Sequence, residues 1–478
     1  MKRYIWAVGV AAGVLLMAGC NDFLNCDECQ KDPNRQLSAT MLQRLTGIES
    51  VMGSEWNSHL ARSTNMWTQQ VAGTDRQYAQ LAKYTMTESD FTGEFSGMYT
   101  AGGLIDIRAL EAQADSAGNE VFGGLARILE ALDLGMGASI WGDIPASQAG
   151  DIDQYPVPQL DAQSAVYAMV QAKLDTGIAL LTSGSGSGPG KADVWLGGDI
   201  PSWIKVAHTL KGRFYMHWVE AQRRGDATAA QEACGGDCVT KALAEFPLGI
   251  SDTTHQLMTW NSGTPGEWNW WYDFVVFSRS GYLSPSAVFV DTMVARDDPR
   301  LSAYFQPNFL GVYKGAAEGG PADSTTSDFG TDSKQRMAID ARIPFVTLNE
   351  NLLHWAEAAF YASDEVTAKA KLNAYETVNG LPATNLSGNA LLQEIAIQEW
   401  IGQFMNVDAY NDWKRTCWPN IAPAVSGKNV PGRPFYGVDE RNANPNIVPP
   451  SDQPARNAND PAGGMVTAAI GATCEGSK

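Results

Sequence analysis

The sequence has few basic residues and only one sizeable uncharged apolar run. Each of these two features excludes a class of protein. Its 34 Lys and Arg residues stand against 53 Asp and Glu, the net charge is −19, and no Lys/Arg-rich run occurs. Such an acidic chain is not expected to bind nucleic acid. The apolar run, Ile5 to Met17, is shorter than the ~20 residues that a membrane-spanning helix needs. We therefore predict neither a nucleic-acid partner nor a transmembrane helix.

Common catalytic and metal-binding motifs are missing as well. The five histidines show no H-x-x-x-H spacing, and no G-x-S-x-G occurs, so neither a zincin site nor a nucleophile elbow is indicated. The loop from Asp323 to Asp332 lacks EF-hand spacing. A glycoside hydrolase, which uses a pair of carboxylates, stays an open alternative, because the 53 acidic residues offer many pairs and no specific one. We expect no cofactor and no metal.

The N-terminus has the pattern of an exported lipoprotein. Lys2 and Arg3 precede the apolar run, which ends in Leu16-Met17-Ala18-Gly19-Cys20. A basic start, a short apolar stretch and small residues before a cysteine are typical of a lipoprotein signal peptide. We predict a signal peptide over 1–19, acylation (for example with palmitate) at Cys20, and a lipidated linker over 20–40. An ordinary signal peptide with an incidental cysteine is the alternative.

Six cysteines remain after Cys20, an even number that favours disulfides in an exported protein. They are Cys26, Cys29, Cys234, Cys238, Cys417 and Cys474. The two short spacings could close local loops, and Cys417 could tie down the tail through Cys474, although other pairings stay open. No histidine lies near either short pair, so zinc is the less favoured interpretation.

Apolar residues spaced three and four apart predict several helices. Such stripes run from Leu125 to Ile140, Val166 to Leu181, Trp203 to Trp218 and Leu348 to Ala359, the last opened by a capping box at Thr347 and Glu350. Further helices are predicted near 41–60, 95–115, 365–379 and 389–405. Ser183–Gly190, 314–336 and the tail from Pro431 are predicted to be irregular, and Ala287–Val290 is either a strand or a short helix. The chain is predicted to be mainly α, with a single domain over 41–478.

Aromatic residues are plentiful, with 15 Trp, 15 Tyr and 16 Phe. They concentrate in 260–282, beside turn-forming residues 261–267, and a second aromatic and polar mixture covers 65–78. Aromatic rings pack against the C–H faces of sugars while polar neighbours bind hydroxyls; the alternative is that the rings fill the core. The predicted ligand-binding residues are Asn65, Trp67, Arg76, Tyr78, Trp268, Asn269, Trp270, Trp271 and Tyr272.

Several short motifs in order along the chain identify a family resemblance. They are Asn21-Asp22-Phe23-Leu24 after the acylated cysteine, Trp141-Gly142-Asp143-Ile144-Pro145, Tyr155-Pro156-Val157-Pro158, Asp298-Pro299-Arg300-Leu301, Gln398-Glu399-Trp400 and Pro431-Gly432-Arg433. Together they resemble the SusD/RagB family of surface lipoproteins over nearly the whole chain after Cys20. His208, where the family usually has Asn, and Lys414, where a first Arg is common, depart from its pattern.

The resemblance implies a fold and a role. The implied fold is mainly α, SusD-like, with four tetratricopeptide-like helical hairpins and a loop-rich ligand-binding part. The implied protein is not an enzyme: anchored by lipid in the outer membrane at the cell surface, it delivers an oligosaccharide or another nutrient to a SusC-like TonB-dependent transporter. An exported carbohydrate-active hydrolase and a protein-recruiting helical scaffold remain the alternatives.

Overall fold

A computed structural model describes residues 39–100 and 102–460 of the chain. The predicted signal peptide, the acylation site Cys20 and most of the linker lie outside the described residues, as do Cys26, Cys29 and Cys474. Within the described part, no helix combines the length and the apolar character needed to cross a membrane.

Helices dominate the described residues, and strands are short. The helices are α1 Met41–Asn57, α2 His59–Trp67, α3 Arg76–Leu81, α4 Thr92–Gly97, α5 Leu104–Ala117, α6 Glu120–Trp141, α7 Gln163–Ser183, α8 Ile200–Met216, α9 Val219–Arg224, α10 Ala227–Cys234, α11 Cys238–Glu245, α12 Trp270–Tyr272, α13 Ala287–Ala295, α14 Leu301–Tyr304, α15 Leu348–Tyr361, α16 Glu365–Val378, α17 Gly388–Gly402, α18 Asp408–Thr416 and α19 Val438–Ala443. The strands are β1 Val71–Gly73, β2 Leu257–Met258, β3 Leu283–Pro285, β4 Phe305–Gln306, β5 Asp328–Phe329 and β6 Pro344–Val346.

Local sequence signals set the ends of the long helices. The Asn119 side chain accepts a hydrogen bond from the backbone N–H of Phe122 and so caps α6. The helix ends at Gly142, whose φ of 80° suits a residue without a Cβ. Thr347 and Glu350 form the capping box that opens α15. These signals explain why the periodic stretches fold as uninterrupted helices.

Consecutive helices pack side by side and enclose the core. Helix α5 packs on α6, α6 on α7, α7 on α8, and α15 on both α16 and α17. The stripe residues that predicted these helices, such as Leu129, Val170 and Leu210, are buried completely. The predicted mainly α fold is confirmed.

Outside the packed helices, short strands pair to form small sheets. Three two-stranded antiparallel sheets occur in the described residues, β1 with β3, β2 with β6, and β4 with β5. The β1–β3 and β2–β6 pairs join segments far apart in sequence, while β4–β5 closes a local loop, and together the three pairs hold the loop-rich segments 68–75, 257–286 and 305–346.

The structure gives helices to two segments that the sequence left open and to the tail that was expected to be irregular. The aromatic segment is not entirely irregular, since it contains α12 and, directly after it, a π-helix over Asp273–Ser278. Ala287–Val290 begins helix α13. The tail after Pro431 contains helix α19, which packs on α4. Tertiary contacts supply the stabilisation that these short helices cannot derive from their own length.

Two of the predicted disulfide cysteines are bonded to each other in the described residues. Cys234 ends α10, Cys238 begins α11, and their sulfur atoms form a disulfide. Cys417 is also disulfide-bonded. The partner suggested for it, Cys474, is not among the described residues.

Candidate functional site

Five of the nine predicted ligand-binding residues are buried, and four of these five serve the core. Trp67 lies between the rings of Phe91 and Tyr410, and its indole N–H donates to the Leu81 carbonyl. Asn65 bonds to the backbone of Met405 and Asn406. The remaining two, Tyr78 and Trp271, are likewise completely buried. Such positions offer no surface to a ligand in this conformation.

Tyr78 belongs to a buried polar group that also contains His59 and Arg62. Its hydroxyl lies 2.7 Å from His59 Nδ1 and accepts a hydrogen bond from Arg62 Nε at 3.0 Å. Burial, together with the Arg62 charge, lowers the pKa of His59 to about 4, and burial raises the pKa of Tyr78. Both groups are therefore neutral at pH 7, and Arg62 supplies the only charge among the three.

Asn269 is a structural residue that starts the aromatic helix. Its side-chain oxygen accepts a hydrogen bond from the Trp271 N–H at 2.9 Å, and its amide group donates to the Ala341 carbonyl at 3.0 Å. It is buried, so it organises the site without lining it. The next residue, Trp270, is half-buried against Gly53 of α1.

Three aromatic residues with exposed surface lie together and are called here the aromatic rim: Trp268, Tyr272 and Phe277. The Trp268 ring meets Tyr272 edge to face at 6.1 Å and Phe277 at 5.1 Å between centroids. Phe277 is 72% exposed, and the other two are half-buried. The Trp268 indole N–H donates to the Gly263 carbonyl at 3.1 Å, so the adjacent loop holds the ring in place.

The π-helix that carries Phe277 is anchored from below by Arg62. The guanidinium lies 4.1 Å from the centre of the Phe274 ring, and its Nη1 donates to the Trp270 carbonyl at 3.4 Å. Arg62 also donates to the Tyr78 hydroxyl. Buried contacts therefore hold in place the π-helix that carries the exposed ring of Phe277. Single π-helical turns are frequent at functional sites.

A polar cleft of about 380 Å³ opens beside the same π-helix. Carbonyl, hydroxyl, amide and carboxylate groups alternate along it with apolar side chains. The residues that line this polar cleft are Val275, Val276, Ser280, Gly281, Leu283, Ser284, Pro285, Gln306, Ala322, Asp323, Thr326, Ser327, Asp328, Phe329 and Thr331. Apolar walls with dispersed hydrogen-bonding groups suit a hydroxyl-rich ligand.

The exposed Arg76 lies near one edge of the polar cleft. The backbone N–H groups of Thr74 and Asp75 both donate to the Tyr282 carbonyl, which places the start of α3 next to the 280–282 turn. Arg76 pairs with Asp75 at 3.5 Å, with both side chains exposed. Arg279 lies over the Tyr282 ring, 6.0 Å from its centre. Of the predicted residues, Arg76 thus joins Trp268 and Tyr272 as groups that a ligand can reach.

A serine, a histidine and an aspartate also meet elsewhere in the structure. Ser202 Oγ lies 2.5 Å from Asp199 Oδ2 and 2.7 Å from His255 Nδ1, and His255 Nε2 lies 3.5 Å from Asp252. Since a carboxylate only accepts, the single Ser202 proton goes to Asp199, and His255 Nδ1 must then be the donor to Oγ. A histidine protonated there cannot act as the base for Ser202. Ser202 is also 1% exposed, so this group is not arranged for acyl transfer.

One buried cluster has ligand-type side chains close enough for a metal ion. Ligand atoms of Glu350, His354 and Asp408 lie within 4.8 Å of one another. Arg213 binds Glu350 through two hydrogen bonds of 2.6 and 2.5 Å and lies 3.3 Å from Asp408. Asp412 accepts a hydrogen bond from His354 at 2.9 Å. An arginine thus already pairs with both carboxylates of the cluster, and we assign no metal to it.

Sequence reasoning missed most residues of the polar cleft. Ser280, Ser284, Gln306, Thr326 and Asp328 come from three segments, around β3, β4 and β5, which meet through the β4–β5 pairing and the packing of β3 on β5. Strands of two or three residues carry no readable alternation of polar and apolar side chains, so no local signal could have joined these segments.

Comparison with known proteins places the fold. The family model described as "Starch-binding associating with outer membrane", SusD-like, matches residues 33–436. A solved chitin-binding protein shares 20% identity at a TM-score of 0.71, covering 88% of this chain and 100% of its own. A SusD/RagB family protein from Bacteroides thetaiotaomicron shares 19% at 0.68, covering 92% and 100%. A chitin-binding SusD homologue from Flavobacterium johnsoniae shares 18% at 0.68, covering 89% and 98%. No curated protein sequence matches the chain significantly.

Proposed function

Because the chain belongs to the SusD/RagB family, whose members associate with the outer membrane, we propose that it is a surface protein that binds glycans at the aromatic rim and the polar cleft. The observation that carries the proposal is the exposed ring of Phe277 on a rigid π-helix, edge to face with Trp268, beside a polar cleft. Two similar structures are of chitin-binding proteins, and the family model is described as starch-binding.

The rim and the cleft would divide the work of recognition. Exposed aromatic faces pack against the apolar faces of sugar rings, and the serine, threonine and glutamine side chains of the cleft exchange hydrogen bonds with hydroxyls. Arg76 is well placed to add a donor at the edge of the cleft. The role proposed for this site is to bind the glycan and not to hydrolyse it, in line with the family membership.

The proposal extends to how the bound glycan is used. The chain would be acylated at Cys20, held at the outer membrane by its lipid, and would deliver the glycan to a SusC-like TonB-dependent transporter. The lipobox pattern and the family membership support this part. Co-purification of a transporter with the tagged, lipidated protein would test it, and tagged protein that recovers no transporter from membranes would contradict it.

Calorimetric titration tests glycan binding at the rim. The probes are maltoheptaose and N-acetylchitohexaose, and the variant is Trp268→Ala with Phe277→Ala. Two lost ring contacts of about 0.5–1.5 kcal/mol each should weaken binding by about 5- to 150-fold. Trp355→Ala is the matched control, because Trp355 is also half-buried but lies on α15 under Lys371.

The titration separates the possible outcomes. We expect the control to bind within twofold of the unaltered protein and the double variant to unfold thermally near the unaltered protein. Unchanged affinity in the double variant, or failure of the unaltered protein to bind either probe, would contradict the proposal. Release of reducing ends from either probe would instead support the hydrolase alternative.

A further inference from the structure

A second aromatic residue with a large exposed face lies outside the aromatic rim, at the end of the β2–β6 sheet. The Thr259 N–H donates to the Ile343 carbonyl at 2.9 Å, which continues the sheet by one residue pair. Alternation along the strands then turns Thr259 and Ile343 into the core and Trp260 and Arg342 outward. Trp260 is 46% exposed and is the most exposed tryptophan among the described residues.

Arg342 is held rigidly beside this indole by backbone groups. Its Nε donates to the Thr259 carbonyl at 2.7 Å, and its Nη2 donates to the carbonyls of Trp195 and Met258 at 2.6 and 2.7 Å. Among the described residues nothing bonds its Nη1 group or pairs its charge with a carboxylate within ion-pair distance. A fixed donor next to an exposed ring is the combination that binds a sugar by face and by hydroxyl.

Trp260 and Arg342 border a cleft of about 570 Å³, called here the Trp260 cleft. Its wall comes from the start of α8, the loop before it and the 253–260 segment. The lining residues are Lys191, Asp193, Val194, Trp195, Leu196, Gly197, Asp199, Ser202, Thr253, Thr254, Gln256, Met258, Trp260 and Arg342.

The charges of the Trp260 cleft balance. Lys191 and Arg342 oppose Asp193 and Asp199, so the cleft attracts neither a polyanion nor a polycation strongly. Asp193 is occupied structurally, because it accepts hydrogen bonds from the Leu196 and Gly198 N–H groups. Uncharged hydroxyl-rich ligands fit this combination of a ring, a fixed arginine and balanced charges.

We propose that the Trp260 cleft is a second carbohydrate-binding site, separate from the aromatic rim and selective for neutral oligosaccharides. It takes from the proposed function only the class of ligand. No residue that lines the Trp260 cleft also lines the polar cleft, so each site can be disabled without touching the other.

Fluorine NMR of protein labelled with 5-fluorotryptophan tests this proposal directly. Trp260→Phe and Trp268→Phe assign the two signals, and Trp355 is the internal control. The probes are maltotetraose, cellotetraose, xylotetraose and N-acetylchitotetraose. We expect at least one of these probes to shift the Trp260 signal in a saturable way while the Trp355 signal keeps its position. The same Trp260 shift should appear in the Trp268→Ala, Phe277→Ala double variant.

The outcomes distinguish the two sites. A Trp260 signal that stays still with all four probes overturns the proposal, and so does a Trp260 shift that vanishes in the double variant. A Trp260 shift with a silent Trp268 signal supports the second site and contradicts binding at the aromatic rim.

Discussion

Replacing Arg213 should lower the free energy of unfolding by an amount that can be worked out from the structure. It is completely buried and joins three elements: it binds Glu350 of α15 through two hydrogen bonds, lies 3.3 Å from Asp408 of α18, and donates to the Phe345 carbonyl of β6 at 2.8 Å. Because β6 pairs with β2, the same arginine supports the strand that leads to Trp260. We predict the effect of Arg213→Met.

The magnitude follows from the charges left behind. Removing one partner of a buried ion pair leaves an uncompensated charge and costs about 3–5 kcal/mol. We therefore expect the free energy of unfolding, measured by urea denaturation at pH 7, to fall by about 3–5 kcal/mol. Arg213→Met with Glu350→Leu removes one of the two carboxylates that the arginine pairs with and leaves Asp408. This double variant should lose less stability than the single variant, because it leaves fewer uncompensated charges buried.

The pH dependence supplies a second check on the same variant. Burial favours the neutral form of Asp408, yet the charges of Arg213 and His217 outweigh it and hold the pKa of Asp408 well below its usual range. A carboxyl with a depressed folded-state pKa adds stability above its unfolded pKa, near 4, and loses that stability as the pH falls. The difference in stability between Arg213→Met and the unaltered protein should therefore narrow as the pH falls below about 4. A loss under ~1 kcal/mol, or a double variant less stable than the single one, would refute the reasoning.

Two other perturbations test the protonated carboxyl group of Glu55 and the Cys234–Cys238 disulfide. Burial, with the nearby charges of Glu94 and Asp133, raises the pKa of Glu55 to about 8, so the folded protein keeps a proton that the unfolded chain releases, and stability should decline from pH 4.5 to pH 8. In Glu55→Gln the urea midpoint should change less between pH 6 and pH 9 than it does in the unaltered protein. An equal change in both proteins would contradict this prediction. Cys234→Ala with Cys238→Ala opens the disulfide and should cost about 2 kcal/mol in non-reducing urea denaturation; a stability equal to that of the unaltered protein would count against the estimate.

The helices could be predicted from sequence because their signals are local. The stripe through Leu129 and the capping box at Thr347 lie within single helices, and both are present in the structure. Asn65 could not be placed in the same way. Its side chain bonds to residues about 340 positions away, and no nearby pattern shows that α2 faces inward there.

The site was predictable only in part for the same reason. The sequence placed aromatic rings in 260–282 but could not say which would be exposed. Trp271 is buried while Phe277 is 72% exposed, a division set by the π-helix and by Arg62, which lies more than 200 positions from Trp270. The polar cleft depends on the β4–β5 pairing and on β3, which packs on β5, and strands of two or three residues are too short to show a pattern.

The structure of the protein with a bound oligosaccharide tests the central claim most directly. The probe is whichever of maltoheptaose and N-acetylchitohexaose binds in the titration. We predict a sugar ring against Trp268 or Phe277, with hydroxyls bonded to side chains of the polar cleft such as Ser280 or Thr326. An oligosaccharide bound with neither ring in contact would contradict the account.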